Sequence, residues 1–215
     1  MISLLLIILL SYLAGSFPTA ILVGRVILKD DIRNFGSGNA GATNVFRVMG
    51  WKAALLVFLV DAGKGALATL VLAHISVDAA ILPPLLVQII AGLAAIVGHI
   101  WTLFAGFKGG KGVGTAFGVL LGIAPLPAFC ALVVWIILVW ITRIVSVGSI
   151  AAGIALPLSM LIRKQFSPEH MPGSLLIFGI VIGLIVMITH RANIKRLFRG
   201  EENKFGSSKS KKETP

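Results

Sequence analysis

A glycine-rich segment from Phe35 to Arg47, FGSGNAGATNVFR, carries residues suited to holding an anion. Three glycines within six residues allow a tight turn that directs backbone N–H groups toward a ligand. Serine, threonine and asparagine side chains add donors, and the forked guanidinium of Arg47 suits a phosphate group. The candidates are Gly36, Ser37, Gly38, Asn39, Gly41, Thr43, Asn44 and Arg47. The segment predicts a phosphate site, with an ordinary polar turn as the alternative.

A second segment, residues 98–115, reads GHIWTLFAGFKGGKGVGT and combines glycines with two lysines. It is not a nucleotide-binding P-loop, because no Ser or Thr follows the lysine. Exposed N–H groups and lysines beside a predicted helix start at Val113 nevertheless favour anion binding. The candidates are His99, Lys108, Gly109, Gly110, Lys111 and Gly112. Alternatively, the two lysines only anchor a helix at the membrane edge. His99 likewise has an alternative role, as a polar residue that forms hydrogen bonds at a helix end.

Two ionisable residues, Asp61 and Lys64, lie inside an apolar run. Their i, i+3 spacing places them on one helix face, where they can pair. An ion pair that only orients helix packing is one interpretation. The other places Lys64 near the anion site, because an ionisable residue within a membrane span is a functional candidate by default.

Two further polar stretches follow. Residues 143–149 form a predicted small loop that contains Ser146 and Ser149, and residues 190–193 follow the last apolar run. The second stretch supplies His190, Arg191 and Asn193. Together, the polar segments are rich in cations and poor in acids, which suits phosphate dianions.

Composition places these segments in an integral membrane protein. Hydrophobic residues make up 57% of the 215 residues, and several runs are long enough to cross a bilayer as helices. The single cysteine, Cys130, lies in an apolar run, which excludes a disulfide framework. His, Cys and acidic residues are too few and too scattered to predict a metal site.

The sequence predicts an all-α protein with about seven transmembrane helices. Pro125 and Pro127 divide one run that would otherwise be too long for a membrane, and the N-terminal run lacks the basic start of a signal peptide. We expect one polytopic domain over residues 1–200, ending in a short basic helix, and a basic, solvated, disordered tail over residues 201–215. The predicted helices are 1–28, 51–74, 85–104, 113–126, 128–142, 150–162 and 174–189.

The distribution of charge predicts the orientation. With seven spans, two Lys and Arg residues fall on the side of the N-terminus and sixteen on the other side. The positive-inside rule then places the N-terminus outside and the C-terminus, together with all polar motif segments, in the cytoplasm. This topology also explains the net charge of +11 without nucleic acid. Lysines of the tail are expected to contact anionic lipids: Lys209, Lys211 and Lys212.

Four motifs together resemble those of the bacterial acyl-phosphate–glycerol-3-phosphate acyltransferases, the PlsY family. They are GSGNAGATNVFR at 36–47, DAGKG at 61–65, GHIWTLFAGFKGGKGV at 98–113 and HRANIKRLFRGEE at 190–202. The resemblance covers the chain to about residue 201, although the stretch at 146–149 matches more loosely. It implies acyl transfer from acyl phosphate to the 1-hydroxyl of glycerol 3-phosphate, which yields lysophosphatidic acid and inorganic phosphate. This is the first step of bacterial phospholipid synthesis.

The resemblance also suggests roles and a location, the bacterial cytoplasmic (inner) membrane. We expect catalytic roles for Ser37, Arg47, Lys111, His190 and Asn193. Substrate-binding roles are expected for the remaining motif residues, including Lys64, His99, Ser146, Ser149 and Arg191. Neither a cofactor nor a metal is implied. Whether a histidine or a substrate phosphate oxygen acts as the base stays open, as does partnership with the soluble enzyme that makes acyl phosphate. The rival function is transport of organic phosphates, which intramembrane charges would fit.

Overall fold

The structure, a computed structural model, describes residues 1–79 and 82–205. Over these residues the chain forms ten α-helices and several short 3-10 turns, without a β-strand. The described residues form two compact units, which divide between Ile123 and Ala124. The all-α prediction is confirmed.

The first unit contains six helices. Glycines let their backbones approach closely: a methyl group on Gly65 would overlap the carbonyl of Thr115, and one on Gly118 would overlap that of Ala62. Small residues at such crossings are typical of membrane helix pairs. The helices are α1 (Ile2–Gly15), α2 (Thr19–Ile27), α3 (Ala42–Met49), α4 (Trp51–Leu70), α5 (Pro84–Ile100) and α6 (Val113–Ile123).

The second unit contains α7 (Pro125–Thr142), α8 (Val145–Phe166), α9 (Gly173–Thr189) and α10 (Arg191–Phe198). Helices α8 and α9 meet where Gly153 contacts Val186 and Gly179 contacts Met160. Residues after α10 continue the unit, because the Phe205 N–H donates a 2.8 Å hydrogen bond to the Arg143 carbonyl. The predicted division at residue 200 stays a prediction, and residues 206–215 lie outside the described part of the chain.

Five described segments are long and apolar enough to cross a membrane, and a sixth counts if α9 and α10, bent by 59°, form one span. Large apolar side chains such as Trp140, which is 82% exposed, cover their outer surfaces, as expected where lipid is the solvent. This confirms a multi-pass membrane protein. Helix α6 has 11 residues and is only about 16 Å long. Seven spans and the orientation of the termini therefore stay predictions. The five segments are Ile2–Ile27, Trp51–His74, Pro84–Ala105, Pro125–Thr142 and Val145–Phe166.

Several predicted boundaries differ from the structure. The first apolar run breaks between α1 and α2 because Pro18 cannot continue a helix. The run at 113–142 does divide, at Ala124, with both prolines in the first turn of α7, where a missing N–H is tolerated.

The loops predicted at 143–149 and 163–173 are shorter than expected. Ser146 and Ser149 lie in the first turns of α8, and this helix continues to Phe166. Glycine and serine do not interrupt it, since a helix in a membrane satisfies its own backbone hydrogen bonds.

Candidate active site

The glycine-rich segment is half loop and half helix. Gly36 and Gly38 adopt left-handed φ angles of 58° and 70° in the loop, whereas Thr43, Asn44 and Arg47 lie on α3. Thr43 and Arg47 are four residues apart, so they share one face of that helix. The exposed loop residue Ser37 precedes this helix. The structure thus presents Arg47 from a helix rather than from the loop that the sequence predicts.

Asn44 gives the loop its shape. Its Oδ1 accepts a 2.8 Å hydrogen bond from the Ser37 N–H, and its Nδ2 donates to the carbonyls of Ile32 at 3.2 Å and Phe35 at 3.0 Å. The side chain is only 1% exposed. Its amide is committed to the chain's own backbone, so contact between Asn44 and a ligand stays a prediction.

The lysine loop, defined as residues 107–112, is attached to the end of α5. The N–H groups of Gly109 and Gly110 donate to the carbonyls of Ile100 at 3.0 Å and His99 at 3.1 Å. The sequence predicts exposed N–H groups here, and this prediction is wrong for these two because buried amides pair within the chain. Lys108 is exposed and Lys111 is half-buried, so the lysines are the anion candidates that remain.

Asp61, Lys64 and His99 form a buried cluster beneath both loops. The Lys64 Nζ lies 2.9 Å from Asp61 Oδ1 and donates a 3.1 Å hydrogen bond to the Phe17 carbonyl. Asp61 Oδ1 also lies 3.6 Å from His99 Nδ1 and accepts a 3.3 Å hydrogen bond from Thr19. This confirms the predicted Asp61–Lys64 pairing, while a direct substrate contact by Lys64 or His99 stays a prediction.

The cluster opens into a narrow pocket to which both motif loops contribute. Ala40 comes from the glycine-rich segment, and Gly109 and Gly110 come from the lysine loop. The structure therefore brings together Lys64, His99 and parts of both predicted anion-binding segments. The complete lining is Phe17, Pro18, Thr19, Ala20, Ile21, Ala40, Asp61, Lys64, His99, Thr102, Gly109 and Gly110.

A second cluster, in the other unit, is centred on Glu202. Its Oε1 accepts hydrogen bonds from Asn193 Nδ2 at 2.7 Å and Ser146 Oγ at 3.1 Å, and its Oε2 accepts from Arg196 Nε at 2.7 Å. Burial raises the pKa of the Glu202 carboxyl, but the bonds from Arg196 and Asn193 outweigh burial and hold the pKa below its ordinary value. The carboxylate thus organises two of the predicted site residues.

Glu202 is not among the predicted site residues, because its position in the sequence falls within the predicted solvated tail. One signal in the sequence could have identified it. Glu202 ends the motif at 190–202, which is otherwise strongly basic, and a buried carboxylate needs such partners. The sequence alone could not show that Ser146, 56 residues earlier, is one of them.

His190, Arg191 and Ser149 belong to the same unit. His190 is buried with Nδ1 2.8 Å from the Val186 carbonyl, so a neutral ring carries its proton on Nδ1 and its lone pair on Nε2. Arg191 is exposed at the start of α10. Ser149 donates to the Val145 carbonyl of its own helix at 3.0 Å, and it accepts a 3.2 Å bond from Trp135 Nε1 that links α7 and α8. Convergence of the two clusters on one membrane face stays a prediction.

Comparison with known proteins agrees with this picture. The glycerol-3-phosphate acyltransferase family model matches residues 5–200. The glycerol-3-phosphate acyltransferase of Chlorobaculum tepidum is 45% identical and aligns over 95% of this chain and 97% of its own. That of Chlorobium luteolum is 43% identical over 98% of this chain and all of its own.

Two crystal structures of PlsY, an integral membrane glycerol 3-phosphate acyltransferase, resemble this fold. The glycerol 3-phosphate form gives a TM-score of 0.83 at 35% identity, covering 98% of this chain and 100% of that one. The lysophosphatidic acid form gives 0.80 at 35% identity, with coverage of 97% and 98%. The motifs, the helical membrane fold and these matches over nearly the whole length lead to one conclusion: this chain belongs to the glycerol-3-phosphate acyltransferase family.

Proposed function

We propose that this protein transfers a fatty acyl group from acyl phosphate to the 1-hydroxyl of glycerol 3-phosphate, releasing lysophosphatidic acid and inorganic phosphate. The observation that carries the proposal is the shared pocket beneath the glycine-rich segment and the lysine loop. Two cation-bearing segments at one pocket suit a reaction in which donor and acceptor each carry a phosphate group. The relatives and the solved PlsY structures support the choice of glycerol 3-phosphate.

The chemistry demands little of the protein beyond positioning. An acyl phosphate is a mixed anhydride, so the acceptor oxygen attacks the carbonyl carbon and the bond to the phosphate oxygen breaks. The proton of the hydroxyl ends on the departing phosphate, either directly or through a histidine. Aligning the hydroxyl with the carbonyl and stabilising the oxyanion that forms are the main catalytic tasks.

Each candidate residue takes a role in this scheme. The loop of Gly36, Gly38, Asn39 and Gly41, shaped by Asn44, holds the donor phosphate with Ser37 and Thr43. Arg47, Lys108 and Lys111 neutralise phosphate charge and orient the acceptor, with Gly109, Gly110 and Gly112 shaping their loop. A catalytic role is also proposed for His190 and Asn193 of the second unit, and substrate contacts for Arg191, Ser146 and Ser149. Lys64 and His99 support the pocket from below. We favour a substrate phosphate oxygen as the base, with His190 and His99 as the rivals.

The proposed location is the bacterial cytoplasmic membrane, with the site facing the cytosol. The excess of Lys and Arg in the segments that carry the site supports this orientation. In this orientation the phosphate group of acyl phosphate contacts the loops in water, while the acyl chain of the same molecule stays in the bilayer. The soluble enzyme that makes acyl phosphate is a candidate partner at this face.

The test is phosphate release by the detergent-purified protein, given acyl phosphate with and without glycerol 3-phosphate. Acyl-CoA and acyl carrier protein are supplied as donors in parallel reactions. We expect acceptor-dependent release and lysophosphatidic acid from acyl phosphate alone, unaffected by a chelator. Formation of lysophosphatidic acid from acyl-CoA would contradict the proposal that acyl phosphate is the donor. Binding of organic phosphate without turnover of any donor would favour the transporter.

A further inference from the structure

We propose that Arg33, which the sequence motifs leave out, is a positioning residue that holds the lysine loop in place for the acceptor phosphate. Its Nη1 donates to the carbonyl oxygens of Ala105 and Lys108, each at 3.0 Å. These carbonyls bracket the start of the loop that carries Lys108 and Lys111. The inference rests on the proposed function, because it assigns the loop to glycerol 3-phosphate.

The guanidinium of Arg33 is itself held in one orientation by Asp31. Nε lies 3.0 Å and 3.1 Å from the two carboxylate oxygens, and Nη2 donates to Oδ2 at 2.6 Å. The backbone N–H of Arg33 also donates to Asp31 Oδ1 at 2.9 Å. Both side chains are mostly buried, with exposures of 27% for Arg33 and 18% for Asp31. Because the Asp31 carboxylate binds Nε and Nη2, the third nitrogen, Nη1, is directed at the loop carbonyls.

The loop needs this support because its backbone is strained. Phe107, a residue with a side chain, adopts a left-handed φ of 59°, directly after Gly106 at 66°. Such a conformation persists only when surrounding contacts enforce it. Arg33 bonds the carbonyls on both sides of this turn, whereas the amides of Gly109 and Gly110 bond the end of α5. The loop is therefore held from two sides, by a side chain and by a helix end.

Arg33 acts through the loop rather than on the reacting atoms. Its hydrogen bonds to Asp31 and to the two carbonyls engage all three guanidinium nitrogens. A lysine at this position would supply one nitrogen and no planar fork, so it could not hold both carbonyls and the carboxylate. Loss of the guanidinium should shift Lys108 and Lys111 while leaving them chemically intact.

The experiment compares Arg33→Gln, Arg33→Lys and the charge-matched control Lys29→Gln, which changes an exposed side chain nearby. With acyl phosphate saturating, we expect Arg33→Gln to raise the KM for glycerol 3-phosphate about tenfold and to change kcat less than about threefold. Arg33→Lys should give an intermediate KM. The control should match the parent protein, and the KM for acyl phosphate should not change.

Hydrogen exchange of the peptide spanning residues 103–112 provides a readout that needs no activity. Arg33→Gln should speed exchange there and leave exchange in α8 and α9 unchanged. Unchanged KM and unchanged exchange would overturn the proposal, as would a fall in kcat alone. Failure of the parent protein to transfer acyl groups would refute the proposed function, whereas faster exchange would still support Arg33 as the anchor of the loop. If Arg33→Gln does not fold, Asp31→Asn should produce the same changes at smaller size.

Discussion

Asn193 donates a 2.7 Å hydrogen bond from Nδ2 to Oε1 of Glu202, nine residues later in the chain. Because the Asn193 side chain is buried, this bond fixes the orientation of its amide group, with the NH2 end toward Glu202. The same carboxylate oxygen accepts from Ser146 on α8. A residue that follows α10 thus orients one residue on α10 and one on α8.

We expect Glu202→Gln to impair both stability and turnover. The NH2 group of a glutamine would face the donor of either Asn193 or Arg196, which leaves a buried group unsatisfied at a cost of about 1–3 kcal/mol. Asn193 should then rotate, and kcat should fall about tenfold or more. Thermal unfolding in detergent and steady-state rates measure the two effects. Glu201→Gln, at the exposed neighbour, is the matched control and should change neither.

The same contacts predict a dependence of stability on pH. Because the pKa of Glu202 in the fold lies below its ordinary value of 4.5, ionised Glu202 stabilises the fold above that pH. This contribution is lost as the pH falls through the lowered pKa. Unfolding measured from pH 7 to pH 3 should show a steeper loss in the parent protein than in Glu202→Gln. Parallel curves would contradict the assignment.

Lys111→Ala should remove most activity without unfolding the protein. The half-buried Lys111 is proposed to neutralise phosphate charge, and loss of such a group costs on the order of 10²-fold to 10³-fold in rate. Phosphate release and gel filtration in detergent measure activity and folding. Lys164→Ala, in the second unit and outside the proposed site, serves as the control. Normal turnover by Lys111→Ala would remove this residue from the site.

A mutational cycle at Asp61 and Lys64 separates structure from chemistry. Asp61→Asn leaves a buried ammonium without its carboxylate and should destabilise the fold by about 3–5 kcal/mol. The double variant Asp61→Asn with Lys64→Met removes both charges and should recover much of that stability. Thermal unfolding of the parent protein, Asp61→Asn, Lys64→Met and the double variant gives the coupling energy.

Activity of the stable double variant then decides between the two interpretations of Lys64. We expect a clear loss of activity, because both residues of the pair line the pocket. Full activity would assign the pair to helix packing alone.

Gly118→Ala should destabilise the first unit, because the new methyl group would overlap the Ala62 carbonyl where α6 crosses α4. Overpacking of this kind costs about 1–3 kcal/mol. Gly63→Ala is a sharp control, since nothing lies within 4 Å of a methyl group there. That substitution should stabilise α4 by about 0.5–1 kcal/mol. Equal melting temperatures for the two variants would argue against the close crossing.

Much of this protein was predictable from local features of its sequence. Length and continuity of the apolar runs determined the membrane class, because crossing hydrocarbon requires them wherever the helices lie. Residue types in the glycine-rich segment and the lysine loop determined the chemistry that they can support. The i, i+3 spacing of Asp61 and Lys64 predicted their ion pair, since both lie on one helix.

Only the tertiary structure decided which polar groups pair within the chain. Asn44 and the amides of Gly109 and Gly110 turned inward because buried polar groups must find partners within the chain. Arg33 and Glu202 gained their roles from contacts 75 and 56 residues away in sequence, with Lys108 and Ser146. Hydropathy and motif spacing describe neighbours along the chain, whereas a hydrogen bond depends on distance and angle in space. The sequence therefore determined the chemistry that each segment can offer, and folding determined which side chains hold those segments in position.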